Sequence, residues 1–581
     1  MAHYIGVDIG TGSARACIIN SNGLIVAVAS KDIKTFNPKT DFYEQSTTDI
    51  WAACCECTRE ILKKSKVLPS DVKGIGFDAT CSLAVFDQKT DQPIAVDSDF
   101  SDTSRNVILW LDHRCPNETL SINATKHNCL KYVGGGMSIE MEIPKILWLK
   151  NNMPAEMFDR CKFYDLTDAM EHIATGTEAR SYCSTVCKQG FIPVGIDGSV
   201  KGWSKDFLEA IGLGELASDD FKRMGGTPES GSFRSAGELA GELCEQAAKD
   251  MGLLPGTKIA SGVIDAYAGW VGTVAAKVED SKSILGSDSK NAGDMQQARH
   301  RLAAVAGTST CHLVMSKEPV FVNGVWGPYR DVLFPGYWVA EGGQSCTGNL
   351  LHFVLSTHPA YDAAVANAKA KDTNIFDYLN ELLISYAAEM NCPSIGYLLR
   401  NLFYYPDLHG NRSPIADSTM RGAISGLDMD TSEVGLAKHY YVAMEAIGLQ
   451  TRHIVESLNK AGHEIESVFL SGGQCKNKLL VGLIASCTEL PVVMPKYIND
   501  AVVLGAAMLG AKAATANERG ETENLWDIML RMSHQGTIVH PTQHEGERRL
   551  LRAKYSIFLD MAQKQLDYRK QMTAASEDYE K

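Results

Sequence analysis

The chain has no uninterrupted apolar run of the roughly 18 residues that a bilayer-spanning helix needs; uncharged stretches such as Ala501 to Ala511 end short of it. The N-terminus, MAHYIGVDIG, places an acid and a glycine where a secretory signal has a basic start and an unbroken apolar core, so no signal peptide is read. Basic charge is in deficit. Lys and Arg number 56 against 70 Asp and Glu, a net charge of −14, which argues against nucleic acid or an anionic membrane as the main partner. Paired cysteines at zinc spacing are also absent. The densest group, Cys54, Cys55 and Cys57, has no second pair or His cluster, and Cys183 and Cys187 are read in the same way, as buried apolar thiols of a cytoplasmic protein. The chain lacks Gly-x4-Gly-Lys-Ser/Thr, and no Gly-x-Gly-x-x-Gly leads from a strand into a helix, so neither a P-loop nor a dinucleotide fold is supported.

What is present is glycine, 50 residues of it in a chain of 581, gathered in tight knots inside apolar runs rather than in Gly-Ser linkers. Strand Tyr4 to Val7, the tip Asp8-Ile9-Gly10-Thr11-Gly12-Ser13 and strand Ala14 to Ile19 make a hairpin with a polar, glycine-rich end, closed by an Asn22-Gly23 turn. Ser46 to Lys64 is predicted as an amphipathic helix. Strand Val72 to Phe77 then runs into the tip Asp78 to Ser82 and strand Leu83 to Phe86. Met137 to Asn151 and Phe158 to Thr175 read as helices, and Lys258 to Ile264 as a strand ending in Asp265-Ala266-Tyr267-Ala268-Gly269. After a polar segment at 279–299, the opening plan recurs: strand Leu302 to Ala306, tip Gly307-Thr308-Ser309-Thr310, strand Cys311 to Met315. Tyr441 to Asn459 is a long helix, Ser467 to Leu470 a strand, Ser471 to Gln474 a turn, and Lys478 to Cys487 a helix. Asn499-Asp500 is expected to cap a helix at Ala501 to Ala514, and Gln543 to Gln571 is a final amphipathic helix with a frayed tail. Strands alternating with helices give an α/β class.

Two tips of small residues and hydroxyls are what a nucleotide's phosphates require, because glycines let backbone N–H groups point inward and Thr or Ser adds donors without bulk. One such tip alone would read as an ordinary hairpin. Two of them, Gly10, Thr11, Gly12 and Ser13 with Gly307, Thr308 and Ser309, joined by a third turn at Gly472-Gly473, read as a phosphate clamp with Asp8 holding Mg²⁺. A chain with net charge −14 cannot attract ATP by its overall field and must use local N–H groups and a cation.

This arrangement resembles the superfamily of actin-like ATPases and sugar kinases, and within it the FGGY carbohydrate kinases. The resemblance covers nearly the whole chain and rests on IGVDIGTGSARA at 5–16, WLDHR at 110–114, MEIPKILWLK at 141–150, IDAYAG at 264–269, AGTST at 306–310, HGNRSPIAD at 409–417, SGGQCKN at 471–477 and DAVVLGAA at 500–507. FDATCSL at 77–83, RSYCSTVCK at 180–188 and EGGQSCTG at 341–348 look most like the ribulokinases, in particular the D-ribulokinase branch. The resemblance implies a two-domain actin-like fold, each domain a mixed sheet flanked by helices, with the active site in the cleft between them. The expected units are 1–278, a linker at 279–300, 301–570 and a disordered tail at 571–581.

By the same resemblance Asp265 is the catalytic base and also meets the sugar, Thr11 and Thr308 contact phosphate, Gly473 and Asn477 lie on the adenosine side, and Gly348 falls near a further nucleotide-binding position. Lys188 and Glu341 are expected to meet sugar hydroxyls, with Thr80, Cys81 and Asp112 at the same pocket. By position alone Asp265 reads equally well as a helix cap, and a lone Lys or Asp as a solvated charge. Tyr267 stands where ribulokinases usually carry His, so no proton relay is assigned there. Asn411 and Arg412 of HGNRSPIAD read as holding backbone, with Pro414 fixing a turn. The implied activity is ATP- and Mg²⁺-dependent phosphorylation of a pentulose, D-ribulose being the first expectation. Another sugar (L-ribulose, xylulose or a pentitol) and an actin-like nucleotide switch without sugar transfer are the alternatives, and a homodimer is left open.

Overall fold

The computed structural model describes residues 1–278 and 294–576. The polar segment at 279–293 and the last five residues lie outside the described residues; Met295–His300 form a short 3-10 turn.

Strands β1 (His3–Ile9) and β2 (Ser13–Asn20) pair antiparallel across the first glycine tip, and β3 (Ile25–Asp32) continues the meander after the turn at Gly23. A parallel partner, β4 (Val72–Ala79), lies on the other side of β1, paired from His3 with Val72 to Ile9 with Ala79. With β5 (Leu239–Glu242), β6 (Lys258–Ala260) and β7 (Val263–Ile264), the order is β5-β6-β4-β1-β2-β3, and β7 sits beside the end of β4. Helix α1 (Thr47–Ser65) is capped by Ser46, whose hydroxyl accepts from Asp49 N, and it buries Ile50, Cys54, Cys57 and Ile61 against this sheet.

The second half repeats the plan. Strands β8 (Arg301–Ala306) and β9 (Thr310–Ser316) form the hairpin, and β10 (Trp326–Arg330), β11 (Trp338–Gln344), β12 (Ser467–Ser471), β13 (Val492–Met494) and β14 (Thr537–Val539) complete the order β10-β11-β9-β8-β12-β13-β14. The parallel partner of the hairpin is β12, as β4 is in the first half.

Two helices join the halves. Helix α2 (Asp265–Thr273) follows β7, and α3 (Ala501–Ala513), although it comes from the end of the chain, lies on the first sheet. A Cβ on Gly6 would fall 2.0 Å from Val503 O, and one on Gly76 2.1 Å from Ala506 O. Where α2 and α3 cross, a Cβ on Gly272 would meet Ala501 O at 1.9 Å, and one on Gly505 would meet Ala268 O at 1.9 Å. Only glycine lets two helices approach backbone to backbone, so these positions fix the geometry of the crossing. The polypeptide therefore passes from one half to the other at this crossing, and the units do not divide cleanly at residue 300.

Several expectations need correction. Phe158 ends a short helix, and the segment then forms a strand, Cys161–Asp165, and a helix, Leu166–Thr175, because Cys161–Asp165 pairs antiparallel with Leu83–Asp87 and is buried on every residue, charged ones included. The predicted helix from Met137 begins at Glu142 and ends at Asn152; the preceding Gly134, Gly135 and Gly136 belong to a loop. The long helix is longer than read, Glu433–Ala461, and the last one runs Glu545–Ser576, so no fraying starts at 571. Asp500 stands at the start of α3 without capping it by a side-chain hydrogen bond; it faces Arg15 at 3.6 Å instead. Among the described residues no helix is long and apolar enough to cross a membrane.

Candidate active site

The first tip holds its shape through Gly10 N, which donates to Ser13 O at 3.0 Å; in the second, Gly307 N donates to Ser309 O at 2.9 Å. In each tip the threonine carbonyl is tied back from the cleft. Thr11 O accepts from Gln45 Nε2 at 2.7 Å, and Thr308 O from the N–H groups of Thr347 and Asn349 at 3.1 and 3.2 Å. With those carbonyls engaged, the N–H groups of Thr11, Gly12, Thr308 and Ser309 face solvent without a protein acceptor among the described residues. This is an anion cradle built twice. The Thr11 hydroxyl accepts from Trp110 Nε1 at 3.0 Å, which leaves its own proton to donate outward.

The third turn leans on the second tip. Gly472 has φ of 98° and a Cβ there would lie 2.1 Å from Ala306 O, so no other residue fits. Gln474 Nε2 reaches Gly307 O at 3.1 Å and Thr347 Oγ1 at 2.7 Å, joining the turn to the hairpin. Gly473 is exposed, with no atom near its missing side chain, as a surface for a flat ring would be. Gly348 packs on the second tip, where a Cβ would meet Gly307 O at 2.6 Å. The Asn477 side chain is engaged elsewhere: it caps the following helix at Leu479 N and Leu480 N and donates to Tyr440 Oη at 2.6 Å, so it shapes the turn.

Three neighbouring parallel strands each bring a carboxylate to the first tip. Asp8 on β1 is in register with Asp78 on β4, and Asp265 comes two residues after Val263, the partner of Asp78 on β7. Asp78 is fully buried, and apart from the neighbouring carboxyl of Asp8 neither of its oxygens has a hydrogen-bond partner among the described residues. Burial first, then repulsion from Asp8 and Asp265, holds its pKa well above the carboxylate range. Burial also raises Asp8, opposed by Arg15. Asp265 is pushed up to about 7 by burial and by Asp8, although it accepts from Ala266 N at 2.7 Å. A buried acid without a donor needs a proton or a cation. The donor set, carboxylate oxygens only, suits a hard divalent ion.

Beyond Asp265 the two halves meet through charges. Lys188, ending the helix Tyr182–Lys188, lies 3.3 Å from Glu341 on β11, and both are almost completely buried. Tyr267 Oη donates to Glu341 Oε2 at 3.1 Å, and Cys187 Sγ donates to Tyr267 Oη at 3.3 Å. The role of Tyr267 is thus to hold the glutamate. Burial disfavours the Lys188 ammonium, yet Glu341 keeps its pKa well above the usual lysine value. Thr80 N donates to Ile9 O at 3.0 Å, and its hydroxyl lies 3.2 Å from Ser82 Oγ, so this tip lies against the first hairpin. Burial pushes the Cys81 thiol up while Lys188 pulls it down, which places it beside the same pair.

Two expected side chains behave differently. Asp112 is fully buried, and its oxygens accept from Arg114 at 2.7 to 3.0 Å and from Tyr43 N at 2.6 Å; it folds the 110–114 loop and has no free oxygen to offer a substrate. Arg412 does not hold backbone. It forms an ion pair with Glu140 of the other half, Nη2 lying 3.1 Å from both carboxylate oxygens. Asn411 does hold backbone, accepting from Ile415 N at 2.9 Å and Ala416 N at 3.3 Å. Asp78 was legible as a second strand ending in an acid, the pattern already seen at Asp8, whereas Glu140 gave no local signal.

Among the described residues Asp91, His172 and Glu178 also stand at metal-ligating distances. The ammonium of Lys162 is bonded to both acids, at 3.0 and 2.7 Å, and takes the place a cation would have.

Known proteins resemble the chain along most of its length. The model of the N-terminal domain of the FGGY family of carbohydrate kinases matches residues 3–272, and that of its C-terminal domain residues 302–514. A D-ribulokinase of Saccharomyces cerevisiae is 52% identical over 88% of this chain and 72% of its own length. A human FGGY carbohydrate kinase domain-containing protein is 39% identical over 97% of both chains. The crystal structure of a xylulose kinase from Rhodospirillum rubrum shares the fold, with a TM-score of 0.72 at 19% identity, over 97% of this chain and 99% of that one.

Proposed function

Because the chain belongs to the FGGY family of carbohydrate kinases, we propose that it transfers the γ-phosphoryl group of ATP to the C5 hydroxyl of D-ribulose, giving D-ribulose 5-phosphate and ADP. The observation that carries this reading is the surroundings of Asp265, which feels both Asp8 at the first tip and the buried Lys188–Glu341 pair that joins the halves. A carboxylate between an anion site and a hydrogen-bonding ion pair is placed to receive a hydroxyl from one side and a phosphoryl group from the other. The name carried by the Saccharomyces relative supports D-ribulose among the pentuloses.

The free N–H groups of the two tips would grip the phosphates, and the exposed face of Gly473 would take the adenine ring. Asp8 and Asp78 would hold Mg²⁺, which when bound neutralises phosphate charge as the bond to the leaving oxygen breaks. Lys188 and Glu341 would fix the sugar by donating to and accepting from its hydroxyls. Asp265 orients the C5 hydroxyl and accepts its proton late, since no carboxylate is basic enough to form an alkoxide beforehand. Water competes for the same phosphoryl group, so the halves must close before transfer. The sixteen free cysteines fit a reducing compartment, and we place the enzyme in the cytoplasm.

The test is coupled ADP release over a panel of D-ribulose, L-ribulose, xylulose and pentitols, compared by kcat/KM. D-ribulose should lead; ATP consumption that does not depend on any added sugar would instead identify a nucleotide switch.

A further inference from the structure

We propose that Arg412 and Glu140 complete the sugar site as a two-domain latch, Arg412 binding the end of the ketopentose remote from the reacting hydroxyl. The proposal rests on the ketopentose kinase reading above and adds residues to it.

The position of Arg412 follows from its neighbours. Its guanidinium lies 5.5 Å from the ring centroid of Trp326, and the Lys188 ammonium lies 4.4 Å from that same ring. Two ion pairs, Lys188–Glu341 and Arg412–Glu140, therefore flank one indole, and their charges cancel. Each pair joins a residue of the first half to one of the second. Asp265 feels Glu341 and Lys188, whereas the groups acting on Arg412 are Glu140, Cys311 and Glu341. Glu341, in register with Trp326 on the neighbouring strand, is thus common to the surroundings of Asp265 and Arg412.

Arg412 also has a donor to spare. Its side chain is 9% exposed, Nη2 is committed to Glu140 and Nη1 lies 3.7 Å from Cys311 Sγ, while Nε is buried with no acceptor among the described residues. A guanidinium N–H left unmatched in a buried setting is costly unless something absent supplies the oxygen. The neighbouring strand makes room for this side chain: a Cβ on Gly343, two residues after Glu341, would fall 2.7 Å from Arg412 Cδ. A second contact closes the same seam, with the rings of His113 and His409 stacked at 6.2 Å. A planar donor beside a carboxylate is matched by an acceptor next to a hydroxyl; a 2-ketose presents an acceptor-only carbonyl at C2 beside the C1 hydroxyl, whereas a pentitol puts at C2 a hydroxyl whose proton needs a partner of its own. Closing the halves brings Arg412 to Glu140 and to the sugar in one movement, so sugar affinity and closure are linked.

The experiment compares the wild type with Arg412→Met, Arg412→Lys and Glu140→Gln, using D-ribulose and the matching pentitol, with the ADP-induced shift in melting temperature as the measure of an intact nucleotide site. Arg412→Met should raise KM for D-ribulose roughly tenfold or more and erase the preference for ketose over pentitol. KM for ATP and the ADP shift should stay within about twofold of wild type. Arg412→Lys should recover part of the affinity, and Glu140→Gln should raise KM for the sugar several-fold, a second reading if the Met variant folds poorly. An unchanged sugar KM in a variant that retains the ADP shift overturns the latch, and so does an equal loss of affinity for ATP. A wild type that phosphorylates no ketopentose overturns the substrate reading, whereas wild-type turnover with unaltered Arg412 and Glu140 variants overturns the latch alone.

Discussion

Asp8 and Asp78 sit side by side in register on two parallel strands, and among the described residues Asp78 has no hydrogen-bond partner other than Asp8. Sheet registers do not normally pair like charges, because the repulsion has no compensation within the protein. Asp78→Asn should therefore raise the melting temperature of the ligand-free protein at pH 8, where the wild-type acid is held against its charge. The same variant, and Asp8→Asn, should weaken Mn²⁺ binding to the ADP complex, read by electron paramagnetic resonance or calorimetry. Unaltered Mn²⁺ affinity in both would remove the acids from the cation site.

Asp265→Asn should lower kcat by about 10²- to 10⁴-fold, the usual contribution of a positioned base, with a smaller change in KM for ATP. It should also stabilise the apo protein at pH 8. The folded pKa of about 7 lies above the ordinary value near 3.9, so ionisation is harder in the fold. Whatever stability this group provides is present at low pH and lost as the pH rises through that window. A variant with wild-type turnover would refute the assignment.

The same shift sets a pH profile. The proposed base accepts a proton, so the ionised form of Asp265 is the active one in this reading. In the free enzyme kcat/KM should decline about tenfold per unit as the pH falls below about 7 and level off above it. An acidic limb near the ordinary carboxylate range instead would show that the base is not perturbed.

Gly505→Ala adds a Cβ that would lie 1.9 Å from Ala268 O, where two helices touch through their backbones. The helices must separate, at a cost of about 1–3 kcal/mol or more, measurable by chemical denaturation. Because the crossing joins the halves, kcat should fall as well. Gly473→Ala, with no atom near the added carbon, should leave stability unaltered and raise KM for ATP.

Local chemistry was readable from residues that are close in the chain. A hairpin whose tip is glycine and hydroxyl between apolar strands shows itself within a dozen residues, and so did both tips. The helix assigned to Phe158 through Thr175 failed because Cys161–Asp165, with its mixture of apolar and charged residues, carries no clear period; only its pairing with Leu83–Asp87 decides for a strand. Asp112 looked available because its partners could not be seen: Arg114 folds back on it, and Tyr43 N arrives from 69 residues away.

The sequence by itself determined the class of fold, the two tips, the acid at the end of its strand and the family they belong to. These depend on backbone freedom at glycine and on side-chain alternation, both properties of neighbours. Tertiary structure alone decided which charges meet. Arg412 reaches Glu140 across 272 residues, Lys188 reaches Glu341 across 153, and one indole lies beside both cations. Charge pairing is set by distance in space, and distance in space is fixed only once two sheets have folded and a late helix has returned to pack against the first.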